Sequence, residues 1–158
     1  MVLSDFSDSD LGGDLDTRKS TSGILFFLGE SPVSWQSIKQ KVVALSSCEA
    51  EYIAAATGAC QAVWLARLLT EIRDLEVSKP VLRVDNKSAI SLVKNPVHHD
   101  RSKHIDLRFH LIREYAHTGQ IEVKFISTKE QLGDILTKPL GKVKFLELCT
   151  KIYLQVVQ

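Results

Sequence analysis

Four acidic residues occupy positions where carboxylates could bind metal ions for hydrolytic chemistry. They are Asp8 at the end of the first predicted strand, Glu51 in the second turn of a long predicted helix, Asp85 at the end of the fourth strand, and Asp134 in the helix after the fifth. Because mixed α/β sheets gather the carboxyl ends of their strands at one edge, we expect these side chains to converge. Converging carboxylates repel one another unless a cation neutralises them, and their oxygen atoms suit Mg²⁺ or Mn²⁺. Two such ions roughly 3.5–4 Å apart could hold the attacking and leaving oxygens of a phosphodiester cleavage.

Each acid also has a purely structural interpretation. Asp85 could cap the helix that follows it, since Asp is a favoured N-cap residue, and Asp134 could be an exposed helix acid. Asp8 belongs to a polar run, and the other acids of that run are expected to be solvated loop residues: Asp10, Asp14 and Asp16. Spacing alone therefore does not choose between a metal site and separate structural roles.

Glu51 competes with Glu49 for a place among the ligands. Ser46 and Glu49 form a capping box, in which both side chains bond to backbone N–H groups at the helix start. This gives Glu49 a structural role and leaves Glu51 for the site. The same helix start, with Ser46 and Ser47, is a candidate phosphate-binding site, although helix capping alone explains Ser46 equally well.

Hydrophobic periodicity predicts the elements that position these acids. Predicted strands cover residues 3–9, 24–28, 33–35, 81–84 and 121–126, and the first three form an antiparallel meander. Predicted helices cover residues 46 to about 74, 86–94, 104–117, about 130 to the break at 139, and about 143 to 153. An antiparallel set beside parallel strands joined by helices implies a mixed α/β sheet, in a single domain of residues 1–158.

The long helix is expected to bury the apolar residues that recur at helical spacing, which are Tyr52, Ala56, Cys60, Val63, Trp64, Leu68 and Ile72. The bulky aromatic residues Trp35, Trp64, Phe26 and Phe27 are predicted to lie in the core.

Composition narrows the function classes. The net charge of +1 gives no general basic field, so any surface for nucleic acid must be local. Cys48, Cys60 and Cys149 are odd in number and far apart, which argues against a disulfide framework and favours a reducing compartment. No apolar run approaches a membrane span, and the N-terminus lacks a signal region. We therefore expect a soluble intracellular protein, cytoplasmic and/or nuclear, with no membrane partner.

Several other polar residues are candidates for binding. Four histidines invite a zinc interpretation, which the lack of Cys or His pairs at ligand spacing disfavours: His98, His99, His104 and His110. Arg101 and Lys103 could contact phosphates or belong to a plain solvated loop. Asn86 could reach the sugars of a nucleic acid or cap the next helix.

Seven sequence blocks follow one another along the chain: D-F-S-D-S-D, D-L-D-T-R-K-S-T-S-G, V-S-W-Q-S-I-K-Q, V-A-L-S-S-C-E-A-E-Y-I-A-A, V-D-N-K-S-A-I, K-N-P-V-H-H-D-R-S-K-H-I-D-L-R-F-H-L-I-R-E and E-Q-L-G-D-I-L-T-K-P-L. Together they resemble the ribonuclease H domain of copia-type (Pseudoviridae) LTR retrotransposon Pol polyproteins, over about residues 4–150. The resemblance implies a ribonuclease H-like α/β fold, a five-stranded mixed sheet flanked by helices. It places the catalytic, metal-binding acids at Asp8, Glu51, Asp85 and Asp134, with two Mg²⁺ ions for which Mn²⁺ can substitute.

The resemblance also implies an activity. It is hydrolysis of the RNA strand of an RNA–DNA hybrid, as in reverse transcription, which leaves 5′-phosphate and 3′-hydroxyl ends. The hybrid would be recognised by groove shape and 2′-hydroxyls rather than by base reading. Candidate substrate contacts are Ser9, Ser46, Ser47, Asn86, Arg101, Lys103 and His104, and a reverse transcriptase domain of the same polyprotein is an expected partner.

The sequence departs from the family pattern at a few positions. Leu11 stands where these elements usually have Trp, Cys48 where they have Thr, and Gly133 where they have Ala. None of these removes an acid. Cellular ribonucleases H often have a His in the loop before the last acid, where this chain has Ser127-Thr128. We therefore expect slow turnover or another residue in that role.

Two other functions stay open. One is a domesticated ribonuclease H-like module, catalytically weak or inactive, that binds hybrids or a protein. The other is an integrase or Holliday-junction nuclease, which has acids on a similar sheet. Four intact acids favour an active enzyme, and the blocks E-A-E-Y and D-N-K-S-A-I resemble the integrase group poorly.

Overall fold

The computed structural model describes residues 2–73, 77–95 and 107–154, which form one mixed sheet with helices on both faces. The strands are β1 (Val2–Ser9), β2 (Thr21–Leu28), β3 (Ser31–Lys39), β4 (Ser78–Val84) and β5 (Glu122–Phe125). The α-helices are α1 (Ser47–Arg73), α2 (Lys87–Lys94), α3 (Leu111–His117) and α4 (Lys142–Lys151). Short 3₁₀ helices cover Leu107–His110, Thr128–Glu130 and Leu132–Leu136. The predicted α/β fold with a five-stranded mixed sheet is confirmed.

The sheet has the strand order β3-β2-β1-β4-β5, with β1 at its centre. β1 runs antiparallel to β2 and parallel to β4, and β4 runs parallel to β5. Ser7 pairs with Val84 across the parallel ladder, so β1 and β4 end side by side. This register brings Asp8 and Asp85 to the same edge of the sheet.

The predicted capping box fixes the start of α1. The Glu49 N–H donates to Ser46 Oγ at 3.1 Å, and Glu49 Oε2 accepts the N–H of Leu45 at 2.8 Å. Glu49 thus bonds to the amide one residue before the N-cap rather than to that of Ser46 itself. Its carboxylate has the structural role that the sequence predicted.

Small residues bring α1 close to the sheet. Its buried face consists mainly of Tyr52, Ala55, Ala56, Ala59, Ala62 and Val63. The prediction that Cys60, Trp64 and Ile72 are also buried was wrong, because the helix turns these three toward solvent and Trp64 is 54% exposed. The alanines Ala55, Ala56, Ala59 and Ala62 allow the helix backbone to come close to the sheet.

Between Ser47 and Ile72, α1 is long and apolar enough to cross a membrane by length and composition, with a mean hydropathy of 1.3. The expectation that no apolar run approaches that length was therefore wrong. The alanines among these apolar residues pack against the sheet in the core.

The opposite face of the sheet is covered by the 3₁₀ helix Leu132–Leu136 and by α4. Their core contacts are Leu25, Phe27, Leu132, Leu148 and Ile152. Phe26 and Phe27 are buried as predicted, but Trp35 is 68% exposed, and its assignment to the core was wrong. β3 is an edge strand and most of its residues are exposed, which explains the position of Trp35.

The helix predicted from about residue 130 is instead two short 3₁₀ helices. The two 3₁₀ helices are separated at Gln131, whose backbone is extended (φ −68°, ψ 106°) and whose buried side-chain amide bonds to two backbone groups. It donates from Nε2 to the Ser7 carbonyl at 2.9 Å and accepts the Gly133 N–H at 3.1 Å. These bonds attach the 3₁₀ helix Leu132–Leu136 directly to β1.

Candidate active site

Three of the four predicted acids meet at the carboxyl edge of the sheet. Asp8 lies near the end of β1, Glu51 projects from α1, and Asp85 follows β4. One carboxylate oxygen from each residue lies within 4.8 Å of the other two. The Asp8 and Glu51 side chains are almost completely buried, and Asp85 is half-buried. We call Asp8, Glu51 and Asp85 the carboxylate triad.

Two buried oxygens of the triad have no hydrogen-bond partner among the described residues. They are Asp8 Oδ1 and Glu51 Oε2. An unpartnered buried carboxylate oxygen is costly unless a cation or proton satisfies it. The donor set consists of oxygens alone, which fits Mg²⁺ or Mn²⁺ and suits zinc poorly.

The raised pKa values of Glu51 and Asp8 reflect the same cost of burying carboxylates close together. Burial raises the pKa of Glu51 to about 9, and the charges of Asp8 and Asp85 add to the rise. Burial likewise raises the pKa of Asp8 to about 6, with further repulsion from Asp134 and Asp85. Without a cation, the triad is therefore held partly protonated at neutral pH. A divalent cation would replace those protons.

Glu51 is oriented by Ser9. The Ser9 N–H and hydroxyl both donate to Glu51 Oε1, at 3.0 and 3.1 Å. Ser9 is buried, and the structure gives it this positioning contact. The substrate contact expected for Ser9 stays a prediction.

Asp134 lies beside Asp8 but outside the cluster of the triad. Lys138 joins the two acids, with Nζ 2.8 Å from Asp134 Oδ1 and 3.5 Å from Asp8 Oδ2. Thr137 donates its hydroxyl to the same Asp8 Oδ2. Burial lowers the pKa of Lys138, but the hydrogen bond to Asp134 and the charges of Asp8, Asp134 and Asp85 outweigh it and raise this pKa overall.

Two glycines allow the 3₁₀ helix Leu132–Leu136 to approach β1 and β2. A Cβ atom on Gly23 would lie 2.6 Å from Thr137 Cγ2 and 2.9 Å from the Gly133 carbonyl oxygen. A Cβ atom on Gly133 would lie 2.8 Å from Asp8 Cβ. Gly133, which departs from the family pattern, thus lies directly against the central acid.

Four further residues lie around Asp8 and were not predicted as part of the site: Gly23, Gln131, Thr137 and Lys138. Thr137 and Lys138 follow Asp134 by three and four residues, within the block E-Q-L-G-D-I-L-T-K-P-L. That spacing was a signal for a contact with Asp134 on one helical turn. The contact with Asp8 had no local signal, because it joins residues 129 positions apart.

The remaining predicted contacts divide between described and undescribed parts of the chain. Ser46 and Ser47 are exposed at the start of α1, where Ser46 caps the helix. Asn86 caps α2, since its Oδ1 accepts the Ala89 N–H at 2.9 Å. Outside the described residues lie Arg101, Lys103, His104 and the histidines at 98 and 99.

His110 has a partner that does not involve a metal. Its Nδ1 lies 2.8 Å from the hydroxyl of Tyr52 on α1. Within residues 2–73, 77–95 and 107–154, the carboxylate triad is the one group of three or more His, Cys, Asp or Glu side chains with metal-ligand spacing.

Comparison with known proteins identifies the relatives of the chain. No protein-family model matches it. The chain is 45% identical, over 151 residues and 96% of its length, to the retrovirus-related Pol polyprotein from transposon TNT 1-94 of Nicotiana tabacum. It is 44% identical over 152 residues to the corresponding polyprotein from transposon RE2 of Arabidopsis thaliana, again over 96% of its length. The chain spans about a tenth of the length of these relatives, 11% and 10%.

Solved structures with a similar fold are ribonuclease H domains. The N-terminal RNase H domain of a Mycobacterium tuberculosis protein superposes with a TM-score of 0.58 and 12% identity, covering 94% of this chain and 96% of that one. RNase H1 from Halobacterium salinarum gives a TM-score of 0.51 and 12% identity, covering 93% and 98%. The fold is therefore that of a ribonuclease H domain. The homologues of this chain over most of its length are copia-type retrotransposon Pol polyproteins, as the seven sequence blocks predicted.

Proposed function

We propose that this chain is a metal-dependent endoribonuclease that hydrolyses the RNA strand of RNA–DNA hybrids. The observation that supports it best is the carboxylate triad, whose oxygens converge within 4.8 Å, while Asp8 Oδ1 and Glu51 Oε2 have no hydrogen-bond partner among the described residues. Such a cluster is stable in its charged form only with a cation, and its position is the carboxyl edge of a ribonuclease H-type sheet.

In this proposal Asp8, Glu51, Asp85 and Asp134 hold two divalent cations, Mg²⁺ with Mn²⁺ as a substitute. When bound, these ions supply Lewis acidity to the attacking water and to the leaving 3′-oxygen of the phosphodiester. The chain itself orients the oxygens: Ser9 bonds to Glu51, and the Thr137 hydroxyl donates to Asp8. The products have 5′-phosphate and 3′-hydroxyl ends.

The substrate contacts also belong to the proposal. The hybrid is recognised by groove shape and 2′-hydroxyls, and its backbone contacts make binding depend on salt. Ser46 and Ser47 are exposed where α1 begins, so their hydroxyls are accessible to a phosphate.

The relatives support a proposal for the biological setting. The matched polyproteins are named as retrovirus-related Pol proteins, and the chain corresponds to about a tenth of their length. We propose that the chain works in reverse transcription, as one domain of residues 1–158 beside a reverse transcriptase domain. Cys48, Cys60 and Cys149 are free, which agrees with an intracellular, cytoplasmic and/or nuclear location.

The test is cleavage of a labelled RNA–DNA hybrid by the purified chain, with Mg²⁺, with Mn²⁺ and with chelator. Single-stranded RNA, duplex RNA and duplex DNA serve as alternative substrates. Metal-dependent loss of the RNA strand of the hybrid alone, with 5′-phosphate at the new ends, is the expected result.

Contamination by a host ribonuclease H is the main hazard in this assay. The Asp85→Asn variant, purified in parallel, removes one ligand charge and controls for it. Equal cleavage by the variant and the wild-type chain would refute the proposed site. Hybrid binding without cleavage under any metal condition would instead favour the inactive binding module.

A further inference from the structure

Lys138 places a positive charge inside the acidic site. Its Nζ lies 2.8 Å from Asp134 Oδ1 and 3.5 Å from Asp8 Oδ2, between two carboxyl groups that are almost fully buried. The Lys138 side chain itself is 37% exposed, so a path to solvent remains open. The ammonium thus offsets part of the negative charge of Asp8 and Asp134 in the absence of a metal ion.

The two oxygens of Asp8 have different surroundings. Oδ2 accepts the Thr137 hydroxyl and contacts the Lys138 ammonium, whereas Oδ1 is buried without a hydrogen-bond partner among the described residues. The unpartnered Oδ1 thus belongs to a residue of the carboxylate triad. Oδ1 of Asp8 is therefore available to a metal ion, whereas Oδ2 is already paired with the ammonium of Lys138.

We infer that Lys138 is a built-in counterion that occupies the space between Asp8 and Asp134, and that a divalent cation binding there must displace its ammonium. This inference rests on the proposed function, because it assumes that both acids are metal ligands. An ammonium and a divalent ion cannot share the same two oxygens at contact distance, since like charges a few Å apart repel strongly in a buried site.

Unequal metal binding is the consequence. At Asp8 Oδ1 and Glu51 Oε2 the carboxylate triad can take a cation without displacing the side chain of any described residue. The position between Asp8 and Asp134 binds a cation more weakly, because the ion pairs of Lys138 with both acids must first be broken. Lys138 therefore sets the metal concentration at which the site is filled completely.

The first test follows the reactivity of the Lys138 amine in the wild-type chain. The protein is acetylated briefly with an N-hydroxysuccinimide ester at fixed pH and ionic strength, with chelator or with increasing Mg²⁺, and each lysine is quantified by mass spectrometry. Lys138 should be protected without metal and should react several-fold faster when Mg²⁺ displaces it. Lys142, exposed at the start of α4, is the internal control and should not change. Constant or slower acetylation of Lys138 would overturn the inference.

The second test measures Mg²⁺ affinity by calorimetry, without substrate, for the wild-type chain, Lys138→Met and Lys142→Met. Methionine keeps an unbranched stem but supplies neither charge nor an oxygen ligand. Losing a unit charge this close to the ligands should tighten the weaker site by on the order of tenfold, after allowance for solvent screening. Lys142→Met should bind as the wild type does.

The outcomes separate this inference from the proposed function. A wild-type chain that binds no divalent ion would refute both. If the wild-type chain binds Mg²⁺ and cleaves hybrids but Lys138→Met binds Mg²⁺ no more tightly than the wild type does, only the counterion role of Lys138 would be refuted. Circular dichroism of each variant establishes that it is folded before its affinity is compared.

Discussion

Ser9 donates two hydrogen bonds to one oxygen of Glu51, from its backbone N–H at 3.0 Å and from its hydroxyl at 3.1 Å. Burial raises the pKa of Glu51 to about 9, with Asp8 and Asp85 adding to the rise, and the two bonds from Ser9 oppose it. They also fix the orientation of the carboxyl group, so that Oε2 is left for another partner. The end of β1 therefore supplies Asp8 and orients Glu51.

Ser9→Ala should shift metal binding to higher pH. The variant loses the hydroxyl donor but keeps the backbone bond, so the Glu51 carboxylate is less stabilised and its pKa rises further. Because a cation must displace the proton on Glu51, the affinity for Mg²⁺ below pH 9 should fall on the order of tenfold, the effect of one hydrogen bond to a charged group. Calorimetric titrations from pH 6 to 9 measure the shift. Ser91→Ala, exposed on α2, is the matched control, and a Ser9→Ala curve that coincides with the wild-type curve would contradict the prediction.

Glu51→Gln should reduce hybrid cleavage by more than about 100-fold while leaving the fold intact, because the variant removes a ligand charge from the triad. Glu49→Gln should retain most of the activity. The amide oxygen of Gln can still accept the Leu45 N–H that Glu49 Oε2 accepts at 2.8 Å. Initial cleavage rates and circular dichroism of both variants test this pair. An inactive, folded Glu49→Gln beside an active Glu51→Gln would mean that the other glutamate is the ligand.

The convergence of Asp8, Glu51 and Asp85 could be predicted from the sequence because local signals determine it. The strand before Asp85 could be located by the apolar residues of 81–84, and Asp8 ends the short segment 3–9 that was predicted as the first strand. The carboxyl ends of neighbouring parallel strands lie at one edge. The capping box at Ser46 fixed the register of α1 and thereby the direction of Glu51. Resemblance to a family assigned the same three positions independently.

The contacts around Asp8 could not be predicted in the same way. Thr137 and Lys138 reach Asp8 because the 3₁₀ helix Leu132–Leu136 packs directly on β1 and β2, and that packing depends on Gly23 and Gln131. No periodicity signals such a contact between distant segments. The burial of aromatic residues was also mispredicted for Trp35 and Trp64, since hydrophobicity indicates which residues can be buried but not which face the chain uses.

Another buried carboxyl group, that of Asp5, lies beneath α1 and away from the metal-binding edge. Asp5 on β1 is 1% exposed and accepts the Ser7 hydroxyl at 3.0 Å, while its Oδ1 has no partner among the described residues. Burial raises the pKa of Asp5 to about 7, against the opposing effects of Ser7 and Arg83. The folded chain therefore holds a proton on Asp5 at pH values where the unfolded chain, with a pKa near 3.8, has lost it.

Asp5→Asn should gain stability relative to the wild type as the pH rises. Below pH 3.8 both states of the wild type bind the proton, so Asp5 contributes no pH dependence there. Between pH 3.8 and about 7 only the folded state binds it, so the free energy of unfolding falls with rising pH, by at most about 4 kcal/mol. Urea unfolding in chelator at pH 4.5 to 8 measures the difference between the two proteins. Asp16→Asn, in an exposed loop, should track the wild type; a constant difference between Asp5→Asn and wild type across this range would contradict the prediction.

Gly23 is the position where β2 touches the 3₁₀ helix Leu132–Leu136. It pairs with Asp8 across the antiparallel ladder. A Cβ atom there would lie 2.6 Å from Thr137 Cγ2, 2.8 Å from Leu136 Cβ and 2.9 Å from the Gly133 carbonyl oxygen. Leu136 Cβ and the Gly133 carbonyl oxygen cannot move independently of the backbone, so the whole 3₁₀ helix would have to move away.

Gly23→Ala should therefore lower the free energy of unfolding by about 1–3 kcal/mol, as overpacking in a core does, and should weaken Mg²⁺ binding by moving Asp134 and Lys138 relative to Asp8. Adding Thr137→Ser removes the methyl group nearest to the new Cβ but keeps the hydroxyl that bonds to Asp8. The double variant should recover part of the lost stability and part of the lost Mg²⁺ affinity. The coupling energy between the two substitutions should therefore exceed the roughly 0.5 kcal/mol expected for independent sites. Gly141→Ala, where no described residue other than the two chain neighbours lies within 4 Å of the added Cβ, should cost less than about 1 kcal/mol. Full additivity of Gly23→Ala and Thr137→Ser would mean that the 3₁₀ helix yields without strain and that Asp8 does not depend on this contact for its position.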